Sequence, residues 1–238
     1  MEGPTIFFTI PLFGGIRIDE TIVNAFLITV VIFVLCRVLT YKMEKIPRKK
    51  TQIIAEKLVL TIDNLVETTM GRSFMKFSPY IMALFSSSIL GSLIGLVGLR
   101  PITMDINTTG AWALMTAFFI HYIGFKTNGF KNYMKSFAEP IPFLLPINLI
   151  GIASTPVGMA LRHFGNIVGG NIIMTLIYTG LASFSSMIHL PAPIFQAGLP
   201  AVLSLYFDLF SGFMQAFIFC MLTMVYVSNS APDEVAAG

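Results

Sequence analysis

Residues 137–186 read FAEPIPFLLPINLIGIASTPVGMALRHFGNIVGGNIIMTLIYTGLASFSS, fifty positions in which Arg162 is the only lysine or arginine. A helix needs about 20 apolar residues to span a bilayer, so this run is too long for one upright helix. Two upright helices or one strongly tilted helix both fit the length. Pro140, Pro142 and Pro146 predict an irregular entry, and Pro156 interrupts the i to i−4 hydrogen bonding further along. A guanidinium in hydrocarbon is costly and normally faces a partner, a cavity or an ion path.

The rest of the chain agrees that lipid is its solvent. Of 238 residues, 55% are apolar and 11% charged, and mean hydropathy is +0.80, leaving too little polar surface to coat a water-soluble globule. The first spanning candidate, Ile22 to Leu39, opens on Asp19-Glu20-Thr21, residues suited to a helix start. Residues 51–70 place Ile54, Leu58, Leu65 and the near-register Ile62 on one side and Glu56, Asp63 and Glu67 on the other, which predicts an interfacial amphipathic helix. Further spans are expected at Pro79 to Leu99 and at about Ala111 to Phe125. After a turn at His189 to Pro193 comes a last apolar segment from about Ala197 to Val227, again longer than one span requires.

Eleven of the fifteen basic residues lie between Lys42 and Lys76 or between Lys126 and Lys135. By the positive-inside rule those flanks are cytoplasmic, which puts the N-terminus outside. The N-terminus lacks the basic region of a secretory signal, so no cleavage is expected. Cys36 and Cys220 both fall in apolar stretches and read as small core residues without a disulfide.

Two polar stripes stand out. Asn148, Gly151, Thr155, Gly158, Arg162, Gly165 or Asn166, and Gly169 repeat at a spacing of three to four over about six turns. Ser204, Asp208, Ser211 and Gln215, at spacings of 4, 3 and 4, share a second face. One reading pairs Arg162 with Asp208 and lets the stripes glue two helices together. The other makes them a route for a small cation, because a simple buried pair rarely needs a row of extra hydroxyls and amides. Among the histidines, a possible proton relay by type, His163 points about 100° from Arg162 and is at least as well explained by packing. His189 falls in the turn and His121 reads as a hydrogen-bonded packing residue. No metal-ligand cluster, phosphate-binding loop, HExxH or nucleophile elbow is present, so neither metal, cofactor, catalysis nor nucleic-acid binding is expected of this chain.

The segment Leu161-Arg-His-Phe-Gly-Asn166 resembles the L-R-L-F-G-N of rotary (F-type) ATP synthase a subunits. Residues 215–226, QAFIFCMLTMVY, resemble that family's C-terminal signature, and Asp105-Ile-Asn-Thr-Thr109 its outer-loop segment. The resemblance runs from roughly Phe7 to Ser228. It implies an all-α integral membrane protein of about five membrane helices plus the interfacial helix, ending in a long tilted helical hairpin. Within this single membrane domain, residues 1–21 would be an outer segment, 22–136 peripheral helices and the interfacial helix, 137–228 the ion-conducting hairpin, and 229–238 a cytoplasmic tail. It also implies a stator subunit of the bacterial plasma membrane, partnered by a ring of c subunits, the b-subunit stalk and, through the complex, the catalytic sector. Two offset half-channels would pass H⁺ or Na⁺ to and from ring carboxylates, with Arg162 separating them. Asn166 and Gln215 would orient the guanidinium or ordered water, Asn171, Asp208 and Ser211 would lie on the ion path, and His163, Ser204 and His189 would be possible members of it. The sequence departs from the family where many relatives place a Glu and a His and this chain has Asn171 and Asp208, and where His163 replaces the common leucine. A stand-alone cation channel or secondary transporter is the alternative; no internal repeat of the transporter kind is evident.

Overall fold

In a computed structural model, residues 5–11, 16–47, 49–137, 141–187, 203 and 206–231 are described. They form a helical bundle preceded by a short antiparallel hairpin, strands β1 (Ile6–Ile10) and β2 (Ile16–Asp19). Nothing in the alternation of IFFTI and IRID distinguishes it from an irregular segment, and sequence analysis missed it. Strand β2 runs without a linker into helix α1 (Glu20–Leu39), where the Asp19 carboxylate accepts a hydrogen bond from the Ile22 amide at 3.1 Å as its N-cap.

Helix α2 (Lys50–Met70) ends at Gly71, whose φ of +87° suits a residue without Cβ. Its packed side is Ile62, Val66 and Met70, whereas Ile54 and Leu58 are 52% and 50% exposed. The packed face is therefore rotated from the one drawn by spacing, because tertiary packing selects the side that buries Gln52 and Ala55 as well as Ile62, Val66 and Met70. A 3-10 turn at Arg72–Phe77 leads into α3 (Ser78–Leu93), and the Ser78 hydroxyl donates to the Asp63 carboxylate of α2. Further 3-10 turns at Ile94–Val97 and Ile102–Met104 join α3 to α4 (Ile106–Asn128), which Asp105 caps through the Asn107 amide at 2.9 Å.

Beyond Gly129 comes α5 (Phe130–Ser136), whose Tyr133 hydroxyl meets His121 Nδ1 at 2.8 Å. His121 is thus the hydrogen-bonded packing residue expected. Burial pushes the Tyr133 phenol above its ordinary pKa. After a 3-10 turn at Pro142–Leu144, helix α6 (Leu145–Met187) continues for 43 residues without a break, straight through Pro156. At 1.5 Å per residue it is about 64 Å long, twice the hydrocarbon thickness. Of the two readings of this stretch, the structure selects one helix, which fits a bilayer only at a steep tilt. The expected turn at His189 to Pro193 lies outside the described residues.

The last segment departs from a regular α-helix. Tyr206–Ser211 is π-helical before α7 (Gly212–Asn229) begins. Helices α1, α6, α7 and the 3-10-flanked α3 are long and apolar enough to cross a membrane; α4, diluted by Thr, His and Tyr, is of similar length. The main core joins α2, α3, α4, α6 and α7 through Val66, Ile81, Ala113, Met159, Phe219 and Met224. A smaller cluster of Ile28, Ile94 and Ile102 ties in α1, helped by the Asn24 amide donating to the Arg100 carbonyl at 2.9 Å. Cys220 is buried as expected, but Cys36 lies on the exposed side of α1; both are free thiols.

Candidate functional site

The α6 stripe becomes an open strip along one side of the bundle. Gly151, Gly158 and Gly165 are exposed and Gly169 half-buried, and a Cβ at any of them would meet nothing within 4 Å. Arg162, between Gly158 and Gly165, is exposed on this strip among Val157, Leu161 and, further along, Ile172 and Ile173. Among the described residues it makes no hydrogen bond or ion pair; the ion pairs described are Lys49–Glu44 and Arg72–Glu67, both at helix ends. The Asp208 side chain lies outside the described residues, as do Ser204 and His189, so the Arg162–Asp208 reading is neither drawn nor removed.

One turn beyond Arg162, Asn166 Nδ2 donates to Ser211 Oγ at 2.8 Å. This bond brings the two stripes together where the π turn ends. The wide turn also changes the second stripe. A π turn holds about one residue more than an α turn, so the regular 3–4 spacing of an α-helical face begins only at Ser211. Ser211 and Gln215 keep regular spacing, but Gln215 turns inward and is 4% exposed. Within the described residues, the second stripe therefore passes from the strip at Ser211 to the interior at Gln215. Tight packing accompanies it: a Cβ at Gly170 would lie 3.2 Å from the Phe207 ring, and one at Gly212 3.0 Å from Ser92.

Asn171 sits about two and a half turns from Arg162, exposed, at a small cleft walled also by Ser92, Pro101, Met104, Asn166, Gly170 and Phe207. Its volume of about 20 Å³ exceeds the roughly 10–15 Å³ that one water requires.

His163 points into the bundle and is fully buried. Its ring packs edge-on against Trp112 and Phe219 at 5.8 and 5.4 Å, and Nε2 lies 3.4 Å from Ser88 Oγ. Sequence reasoning missed Ser88, Ser92 and Thr103, whose hydroxyls line the same interior. The serines of 86–92 within an apolar span were the available signal.

The sequence pattern of the ATP synthase A chain family matches residues 22–228, almost nine-tenths of the chain. The chain belongs to the ATP synthase a-subunit family. It is similar to "ATP synthase subunit a, sodium ion specific" of Propionigenium modestum, 30% identical over 98% of this chain and 86% of that one. It is also similar to ATP synthase subunit a of Moorella thermoacetica, 30% identical over 91% and 92% of the two chains, and of Trichlorobacter lovleyi, 33% identical over 90% and 88%. An a subunit is a helical, multi-pass membrane protein of the membrane sector that translocates ions in concert with the c ring and is not itself catalytic.

Proposed function

We propose that Arg162 is the electrostatic separator between two offset half-channels, past which each carboxylate of the rotating c ring must travel. The observation that carries this is an exposed guanidinium, unpaired among the described residues, on a glycine-lined strip of an apolar helix long enough only for a tilted passage. Glycines without neighbours let another helix approach closely, and a cation on a lipid-depth surface calls for an anionic partner. In a low-dielectric interface a carboxylate facing that guanidinium is held ionised, so it releases its H⁺ or Na⁺ before passing. The same fixed charge repels a cation leaking straight through. Arginine serves better than lysine because its proton is not lost at physiological pH.

Asn166, held by Ser211, and Gln215 would orient the guanidinium or ordered water. Asn171 and Asp208, with Ser204 and His189 nearer the ends, would border the ion path. Either ion suits these residues; the Propionigenium modestum relative, sodium-specific by name, keeps Na⁺ in view beside H⁺. The b-subunit stalk holds this subunit still, and the catalytic sector uses the rotation. Each charge crossing contributes about 2.3 kcal/mol per 100 mV, so several cross for each ATP. The subunit lies in the bacterial plasma membrane with its N-terminus outside and its C-terminus cytoplasmic, as the basic flanks argue.

The test is Arg162→Ala in reconstituted complexes. ATP-driven ion pumping is expected to vanish while the complex still assembles; pumping at the normal rate would remove the separator role. Whether ATP synthesis requires Na⁺ and resists protonophores identifies the ion.

A further inference from the structure

The hairpin of β1 and β2 lies outside the helical bundle, and the separator role does not use it. Residues 3–16 carry no charge, although they precede a spanning helix on the side read as outer. In β1, Ile6, Phe7 and Phe8 are 52%, 61% and 57% exposed. Three consecutive large apolar side chains held open in water would forgo the gain that burial brings, so this surface calls for a cover.

Strand register sorts the hairpin into two faces. Phe8 stands opposite Ile18 and Thr9 opposite Arg17, and neighbouring pairs alternate across a ribbon, so one face carries the apolar pair and the other the polar pair. Arg17 is exposed. The ribbon is thus amphipathic with a period of two, as an interfacial helix is with a period of 3.6.

The chain fixes its depth. Strand β2 ends at Asp19, α1 begins at Glu20, and Asp19 caps that helix. The Glu20 amide also donates to the Thr5 carbonyl at 3.0 Å, which holds the start of β1 at the same level. With 20 residues, α1 matches the roughly 30 Å of hydrocarbon, so these joined ends stand at its outer boundary. Deeper entry is barred, because a two-stranded ribbon leaves the N–H and C=O groups of its outer edges unpaired and hydrocarbon does not tolerate them. Ile22, Val23 and Phe26 continue the exposed apolar surface down α1.

We propose that the hairpin lies on the outer leaflet, with Phe8 and Ile18 turned toward the boundary of headgroups and acyl chains and Arg17 at the level of the lipid phosphates. Phospholipid is the partner this surface fits: the apolar face runs on into the lipid-facing side of α1, and the one described charge on the polar face complements phosphate. Such an anchor steadies a helix that buries only Thr21, Asn24 and Ile28 against its neighbours. The inference rests on the outer placement of the N-terminus proposed above.

Nitroxide labels test it in the complete complex, reconstituted in vesicles of phosphatidylethanolamine and phosphatidylglycerol. With the other cysteines replaced, Cys36→Ser and Cys220→Ala among them, the label is placed at Phe8→Cys or at Thr9→Cys. Oxygen concentrates in lipid and a nickel chelate stays in water, so the ratio of their collision rates reports depth. The ratio at Phe8→Cys is expected to exceed that at Thr9→Cys about fivefold. Arg17→Glu is expected to lower the Phe8→Cys ratio about twofold. Equal ratios at the two positions would overturn the proposal, and so would exclusion of both probes from Phe8→Cys, the mark of a protein cover. An unchanged ratio with Arg17→Glu would overturn the phosphate contact. Failure of the Phe8→Cys complex to assemble would also count against the proposal, because a side chain that meets only lipid is not needed for assembly. A membrane-impermeant maleimide applied to intact cells checks the side separately, and Thr9→Cys is expected to react. No reaction there would remove the outer placement, whereas reaction together with equal nitroxide ratios would remove only the lipid contact. Arg162 is intact in all these complexes, so the separator role is still judged by Arg162→Ala.

Discussion

At the residue scale the decisive contact is Asn166 Nδ2 to Ser211 Oγ, because it ties the residue one turn from Arg162 to the facing segment. The bond is on an exposed face, where water can replace either partner, so its net worth is about 1 kcal/mol. Ser211→Ala should therefore lower pumping by no more than about threefold. Asn166→Leu removes the amide itself and puts an apolar group beside the guanidinium, and a loss of about tenfold is expected in the same assay. Equal losses from the two variants would show that the bond, rather than the amide, matters. Asp208→Asn should impair transport if the carboxylate borders the ion path; retained rates would make it a fixed structural charge.

At the scale of elements, the π turn at Tyr206–Ser211 and the glycines beside it shape the cleft next to Arg162. Gly170→Ala would place a methyl 3.2 Å from Phe207, forcing the ring to give by a few tenths of an ångström into a space barely larger than one water. Reduced pumping with normal assembly is expected, measured as ATP-driven uptake per assembled complex. Gly124→Ala acts differently: its Cβ would overlap the Tyr133 ring, an overpacking cost of about 1–3 kcal/mol that should reduce the amount of subunit recovered in the membrane. How legible these elements were varies with the physics that sets them. The start of α1 followed from Asp19, because an N-cap is a local bond between a side chain and an amide three residues on. Arg162, Asn166 and Ser211 followed from 3–4 spacing. The packed side of α2, the inward turn of Gln215 and the burial of His163 are chosen by neighbours distant in sequence, which no local period encodes. The π turn escaped for the same reason, since it forms where Gly212 and Gly170 admit Ser92 and Phe207. Pro156 gave the opposite error in emphasis: a proline removes one hydrogen bond, yet α6 continues through it.

At the scale of the whole molecule, one 43-residue helix and a partner segment with a π turn present a charged, glycine-lined strip on one side of a bundle whose interior carries its own row of polar groups. A tilted helix of about 64 Å offers a moving ring a long track, with Arg162 near its middle and Asn171 about two and a half turns further on. The separator account requires that coupling and insulation both come from that one charge. The direct measurement compares wild-type and Arg162→Ala complexes in proteoliposomes, first for ATP-driven ion uptake and then, with the catalytic sector stripped, for passive ion flux under an imposed membrane potential. The account predicts that Arg162→Ala abolishes uptake and leaves a flux through the stripped sector that no longer depends on ring rotation. Uptake by Arg162→Ala at the wild-type rate would contradict it.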